Sequence, residues 1–278
     1  MTTRLYRPED LPEFRDPPLV ETALSLQFQP LQGFSLVHVG LLWHKFRHTF
    51  PVIEEHAPLS AIGETFGVPS PRQVEVTIEG EPPLPRVWFL NESETELIQI
   101  QADRLTHNWR KTGKISTPYP RYERIRTSFR HELWEFQEFL TDEKLGKVAI
   151  NQCEITYVNH IEPCEAWHEH GEIEGVLRAW TAQERDFLPE LEGGSIQQRF
   201  VIRSGSGGPL GRLHASLTPA WEAEGRSPIL VLTLTARGSP LGQGIDGAFD
   251  FFDLGREWIV KGFSDLTTTD MHRVWRKH

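Results

Sequence analysis

Thr22, Leu24, Leu26 and Phe28 alternate with Ser25, Gln27 and Gln29, the period-two pattern of a half-buried strand, and Pro30 ends it. Ser35 then caps a predicted helix in which Val39, Leu42, Trp43, Phe46 and Phe50 recur at spacings of three and four, and Pro51 stops it. Residues 51 to 72 read as a connection containing Pro and Gly. After it, Val74, Val76 and Ile78 alternate with Glu75, Thr77 and Glu79, before the turn chemistry of Gly80 to Pro85. Short apolar or alternating runs from Arg86 to Leu90 and from Glu96 to Arg104, separated by the polar turn Asn91 to Thr95, predict two more strands. The clearest helix follows: Tyr122, Ile125, Phe129, Leu133, Phe136 and Leu140 lie 3, 4, 4, 3 and 4 residues apart.

The same order of elements then begins again. Val148 to Ile161 reads as a long strand and Ile173 to Phe187 as a helix with Val176, Leu177, Trp180 and Phe187 turned inward. Ile196 to Ser204, Leu210 to Thr218 and Ile229 to Ala236 read as three strands joined by Gly- and Pro-rich turns. Phe249, Phe252, Ile259, Val260, Phe263 and Leu266 outline a long helix, and Thr268 or Thr269 caps a short last one carrying Met271, Val274 and Trp275. The chain divides into an N-terminal lead (1–20), a first α+β unit (21–146) and a second α+β unit with C-terminal helices (147–278). The expected fold class is α+β: two tandem β-α-β-β-β-α units with antiparallel sheets, paired edge to edge or packed as a pseudo-symmetric whole, with helices covering one face. The opposite, strand-lined face is the natural place for a ligand or partner.

Five separated motifs carry a resemblance. They are Pro17-Pro18-Leu19-Val20-Glu21; Gln99-Ile100-Gln101-x-Asp103-Arg104 followed by Asn108-Trp109-Arg110; Tyr119-Pro120-Arg121-Tyr122; Glu154-x-Thr156-Tyr157-x-Asn159-x-Ile161; and Phe263-x-x-Leu266-Thr267-Thr268 with His272 and Trp275. In this order they resemble a sporadically distributed family of uncharacterised bacterial proteins of about this length, over almost the whole chain. One departure is Arg256-Glu257-Trp258, in a segment that more often begins with Gly-His in that family. The resemblance implies a cytosolic prokaryotic protein and carries no assigned activity.

Composition narrows the classes. The 278 residues hold 29 Lys+Arg against 39 Asp+Glu, a net charge of -10, so binding of bulk nucleic acid or of anionic membrane is not expected and any polyanion site must be local. Two cysteines make no disulfide framework, the first eight residues hold no apolar run of signal-peptide length, and no window approaches ~18 consecutive apolar residues. A cytoplasmic chain with reduced thiols and no membrane span is expected.

Charge, however, is unevenly spread. From Arg104 to Arg130 there are eight basic residues and only Glu123 against them, a local +7. Trp109, Tyr119 and Tyr122 are interleaved, the mixture that a phosphate- or base-bearing ligand would use. Residues 154 to 192 hold ten acidic residues against Arg178 and Arg185, a local -8, so pairing within the chain or between subunits is the competing reading. Arg110, Arg121 and Arg124 are the expected convergence point of the tract. Asn108, Trp109 and Arg110 are read as closing a turn after a strand. Alternation puts Tyr157 and Asn159 on one face of their strand with Cys153 and Ile155, and Glu154 with Thr156 on the other. Glu154 needs a cationic partner if buried, and Arg104 or Arg110 is the nominee. Cys164, His168 and His170 form the one cluster of candidate metal ligands, but its spacing is not a standard one, so no metal and no cofactor is expected. Gly205 to Gly211 lie between strands and read as a hairpin, and neither a Gly-x-Ser-x-Gly elbow nor a nucleophile signature at Cys153 or Cys164 occurs.

The leading expectation is a non-enzymatic binding or accessory protein that recognises a partner protein through a charge-segregated surface, with homo-oligomerisation open. The alternatives are a sensor of a small anionic molecule or nucleotide, using a strand-lined cavity, and a hydrolase or nuclease with a cryptic site. A cavity of several hundred cubic ångströms lined by Arg104, Arg110 and Tyr157 would favour the sensor, and a flat polar sheet face the partner.

Overall fold

Leu24, Leu26 and Phe28, the apolar half of the first alternating segment, are buried, and the strand that carries them lies at the middle of the sheet. The computed structural model describes residues 10–67, 84–112, 118–181, 186–222 and 227–278. Among these, the elements in chain order are β1 (Leu19–Phe28), α1 (Leu36–Phe46), β2 (Val52–His56), β3 (Arg86–Leu90), β4 (Glu96–Gln101), β5 (Arg104–Arg110), α2 (Tyr122–Asp142), β6 (Ile150–Ile161), β7 (Ile196–Arg203), β8 (Pro209–Trp221), β9 (Pro228–Gly238), α3 (Gly244–Leu266) and α4 (Thr269–Val274). The strands form one nine-stranded sheet in the order β2-β3-β4-β5-β1-β6-β9-β8-β7, and every neighbouring pair is antiparallel. The fold is therefore α+β. β1 pairs with β5 on one side and β6 on the other, which sets Leu24 between His107 and Ile155.

The long helices lie against the apolar face. All six residues of the predicted α2 stripe, from Tyr122 to Leu140, are buried, and the helix packs on β5. α3 packs on β6, β9 and β8, and it comes close because Gly255 has no side chain: a Cβ there would stand 2.6 Å from Ile155 Cγ2. α4 is capped by Thr268, whose hydroxyl accepts from Met271 N. The N-terminal segment is tied to the C-terminus. Phe14 packs edge-on against Phe263 and Trp275, Arg15 and Asp16 donate to the Arg276 and Trp275 carbonyls, and β1 already begins at Leu19. Among the described residues no helix is long and apolar enough to cross a membrane.

Four expectations change. The strand from Glu96 to Arg104 is two strands, because the chain reverses at Ala102 and Asp103 and Arg104 opens β5 opposite Gln101. Asn108, Trp109 and Arg110 consequently lie inside β5 and close no turn. Among the described residues of Ile173 to Phe187 only Ile173–Gly175 makes a helical turn, of 3-10 type, because the backbone that follows bonds outward, with Arg178 N donating to Leu266 O and Thr268 N to Val176 O. Val176 and Leu177 are nonetheless buried, whereas Phe187 is exposed. Within the expected 51–72 connection, Val52–His56 forms an edge strand, hidden from pattern reading because Val52 and Ile53 are both exposed. The strand expected at Val74 to Ile78 lies outside the described residues.

One polar pair sits between sheet and helix. His107 of β5 is buried with its Nδ1 2.8 Å from Glu132 Oε2 of α2. Burial alone would push the His107 pKa down, but the adjoining carboxylate outweighs it and the value ends above the ordinary one. A raised folded-state pKa means that this stabilisation is complete below about pH 6.5 and is lost as the pH rises through the raised value. Glu132→Ala should cost about 3–5 kcal/mol near neutral pH, since it strands a buried histidine. In thermal melts the gap between wild type and Glu132→Gln should narrow as pH rises. A gap independent of pH would show that the pair carries no net charge interaction.

Candidate functional site

Strand alternation that turns leucines toward the helices turns polar residues toward the other side. Register places Glu154 beside Arg237 and Arg237 beside Arg212, with Ser25 beside Thr106 on the opposite side of Glu154. These groups bond to one another. Ser25 and Thr106 hydroxyls lie 2.6 Å apart, Gln99 Nε2 donates to Asn108 Oδ1 at 2.7 Å, and Thr156 and Thr235 hydroxyls lie 2.9 Å apart. Outward positions of the strands carry Arg86, Arg104, Arg110, Arg199, Arg212 and Arg237 against Glu21, Glu54 and Glu154, a basic excess on a chain of net charge -10.

Residues 57–67 run across this face. Gln101 of β4 holds Leu59 by both main-chain groups, accepting from its N–H at 2.8 Å and donating to its carbonyl at 2.8 Å. Arg104 of β5 donates to Ser60 O at 3.1 Å, Gln27 of β1 accepts from Ile62 N at 2.9 Å, and Gln152 of β6 accepts from Glu64 N at 3.2 Å. The segment ends in a charge cluster. The Glu64 carboxylate, almost buried, receives Arg212 Nη1, His214 Nε2 at 2.5 Å and Arg237 Nη1 at 3.4 Å. Arg212 also donates to Thr65 O and lies over the Phe66 ring, while Arg237 Nε holds Glu154 at 2.5 Å. Burial pushes the Glu64 pKa up, but the His214 hydrogen bond and the charges of His214, Arg212 and Arg237 outweigh it, leaving the carboxyl below its ordinary value.

The candidate residues divide between the two faces. Arg104, Asn108, Arg110 and Glu154 lie on the polar face. Asn108 bonds Gln99 and Glu21, and Arg110 Nε donates to Glu94 O. The partner of Glu154 is Arg237, not Arg104 or Arg110, because β9 is its neighbour on the side away from β1. Trp109, Tyr157 and Asn159 point toward the helices, with Tyr119 alongside. The Tyr119 and Tyr157 hydroxyls lie 3.1 Å apart, the Trp109 and Tyr119 ring centroids 5.1 Å, and Asn159 Nδ2 donates to Leu232 O. Burial pushes the Tyr157 phenol well above its usual range, helped by Tyr119 beside it. Tyr119, Arg121, Tyr157, Asn159 and Arg256 help line a cavity of about 90 Å³ beneath the N-terminal segment. Arg121 caps α2 with φ 71° and ψ 150°, a region that disfavours any side chain, and pairs with Glu13 at 3.4 Å. Arg124 lies at the surface, 3.5 Å from Glu96.

The basic tract does not converge as expected. Arg110, Arg121, Arg124, Arg126 and Arg130 pair with Glu94, Glu13, Glu96, Asp253 and Asp246, carboxylates from outside the 154–192 segment. Cys164, His168 and His170 diverge too. Cys164 Sγ approaches Met271 Sδ, the His168 amide donates to Glu172, and His170 Nε2 lies 2.9 Å from Ala220 O. Among the described residues no three His, Cys, Asp or Glu gather to hold a metal. Burial pushes the Cys153 thiol up to about 12, leaving it protonated.

Sequence reasoning missed Gln27, Glu64, Gln101, Gln152, Arg212, His214 and Arg237. The available signal was the set of Gln and Arg residues at outward strand positions; nothing in the Pro- and Gly-containing connection marked Glu64. No family model, no curated protein and no solved structure matches this chain.

Glu64 should govern how firmly the segment is held. A lowered pKa means that its contribution is complete above about 4.5 and is lost as pH falls through the lowered value. Glu64→Gln should loosen the segment by about 1.5–3 kcal/mol, the worth of hydrogen bonds to charged groups. Hydrogen-exchange protection at the Leu59 and Ile62 amides should drop on acidification in wild type and vary much less in the variant. Equal acid dependence in both would remove Glu64 from this role.

Proposed function

We propose that the chain is a non-enzymatic binding protein that recognises a partner polypeptide through the polar face of its sheet. The observation that carries this reading is that the face already meets a stretch of polypeptide with side-chain amides and guanidiniums matched to main-chain groups and to one carboxylate. Its arginine excess suits an acidic partner, since complementary potentials steer encounter and exclude wrong partners. The charge segregation invoked is one of strand faces rather than of sequence blocks.

The sensor alternative has weaker support. Arg104 and Arg110 face away from Tyr157, so the three do not line a common cavity, and the cavity beside Tyr157, about 90 Å³, is far below the ~300–1,000 Å³ typical of ligand pockets. Two coarser proposals accompany the main one. Two tandem α+β units are supported by strand order, because each half places its first strand beside its last, β1 by β5 and β6 by β9, and follows with a long helix, although the first half carries one strand more than a β-α-β-β-β-α unit. The 3-10 turn stands where the second unit's first helix would be. Membership of the bacterial family and a cytosolic setting rest on the five motifs and on the two free cysteines, Cys153 and Cys164.

Photo-crosslinking tests the partner reading. A benzoylphenylalanine at Thr233, on the polar face, should give a discrete polypeptide adduct in bacterial cells that weakens with Arg199→Glu, whereas the same probe at Trp134, exposed on α2, should not. Adducts of equal yield at both positions, or none at Thr233, would defeat it.

A further inference from the structure

Four features of the 57–67 segment are unlike those of a structural loop. Its described hydrogen bonds go to side chains of the sheet and to no backbone ladder. Its large apolar side chains are only partly covered, with Leu59 at 41%, Ile62 at 43% and Phe66 at 39% exposure, and none enters the core, so apolar burial is not the main thing that holds it. Its path is commensurate with the sheet. Leu59, Ser60, Ile62 and Glu64 meet β4, β5, β1 and β6 in spatial order. Strands ~4.8 Å apart against ~3.3 Å per extended residue bring the five-residue span over about three strand spacings, and the Glu64 side chain covers the rest to β9 and β8. Finally, every group that receives it (Gln27, Gln101, Gln152, Arg104, Arg212, His214, Arg237) is a polar side chain that water can solvate in its place, so the face survives its departure without stranding a buried donor.

We propose that residues 57–67 are an exchangeable internal ligand of the polar face, occupying the place taken by an extended acidic peptide of the partner. This rests on the partner reading above. The recognised peptide offers main-chain N–H and C=O groups to Gln101, further main-chain groups to Arg104, Gln27 and Gln152, and a carboxylate five residues after the Gln101 contact to Arg212, His214 and Arg237. Glu64 sets the strength of self-occupancy. A tethered ligand acts at an effective concentration in the millimolar range, so a competing peptide binds with an apparent affinity reduced by the fraction of faces left open.

The test uses the full-length protein and a fluorescent synthetic peptide of residues 57–67, with a second peptide bearing Glu64→Gln. Full-length Glu64→Lys, whose own segment is repelled by Arg212 and Arg237, should bind the acidic peptide at least about tenfold more tightly than wild type does. The Gln peptide should bind that variant at least about tenfold more weakly than the acidic one. If the Lys variant proves unfolded, wild type gives the same answer: saturating acidic peptide should strip exchange protection from Leu59 and Ile62 while β1 stays protected. Unimproved binding in a folded Lys variant, equal binding of the two peptides, or unchanged protection at saturation of the strap formed by residues 57–67 each overturns the proposal. So does a doubled mass in sedimentation that comes from mutual exchange of the segment between two copies, because the occupant would then be a second copy. A Thr233 adduct obtained with strap protection unchanged would sink the exchange alone and leave the partner reading standing; peptide exchange without any Thr233 adduct would do the reverse.

Discussion

β1 and β6 are each flanked on both sides by antiparallel partners, and the character of both faces of the sheet depends on that interior position. Their backbone groups are consumed by the ladders, so only side chains are left to decide what each face does. Leu24, Leu26, Cys153 and Ile155 on one side are fully buried, and each large apolar residue so placed contributes about 1.5–3 kcal/mol. A register slip by one residue would carry Glu154 into the apolar layer and Ile155 out of it, so the packing of α2 and α3 locks the polar face indirectly. The pairing of Glu154 with Arg237, and the approach of Arg237 to Arg212, follow from that lock and need no further instruction.

The strap is held differently from everything beneath it. Each of its hydrogen bonds replaces one to water and so returns only about 0.5–1.5 kcal/mol, while fixing each backbone residue costs about 1–2 kcal/mol. Main-chain bonding to Gln27, Gln101 and Gln152 therefore does not by itself offset the ordering of the segment, and the Glu64 cluster supplies its strongest single attachment. The carboxylate is shielded from solvent yet titrates below its ordinary range, which requires the attraction of two guanidiniums and an imidazole to exceed its desolvation. By contrast Arg121 and Arg124 are largely exposed in their pairs with Glu13 and Glu96, and such surface pairs add little.

Periodicity made most of the fold legible. The α2 stripe and the β1 and β6 alternations were readable because amphipathic patterns arise directly from one buried face, and Tyr157 and Asn159 went to the opposite face from Glu154 as alternation required. Failures occurred where burial did not impose a period. β2 is an exposed edge strand, the reversal at Ala102 and Asp103 carries no Gly or Pro, and the 173–187 segment buries Ile173, Val176 and Leu177 at helical spacing while backbone at Val176 and Arg178 bonds to the 266–268 region. The site was less legible than the fold. Its glutamines are ordinary outward residues until a strap crosses them, and Glu64 meets Arg212 and His214 across about 150 positions of sequence.

The concentration of arginines between Arg104 and Arg130 was a misleading signal for a physical reason. Basic residues spread over a strand, a connection and a helix point in different directions, and five of them meet separate carboxylates, so the block dissolves into pairs with Glu94, Glu13, Glu96, Asp253 and Asp246. Charge segregation in three dimensions comes instead from residues far apart in sequence that share an outward strand position, from Arg86 to Arg237. On the helix side, α3 alone carries Asp246, Asp250, Asp253, Glu257 and Asp265 against Arg256 and Lys261. The two sides of the sheet thus differ in sign, and over a Debye length of about 8 Å an acidic chain is drawn to the strands and turned away from the outer helix. The same field that seats Glu64 is the one that any acidic competitor would feel.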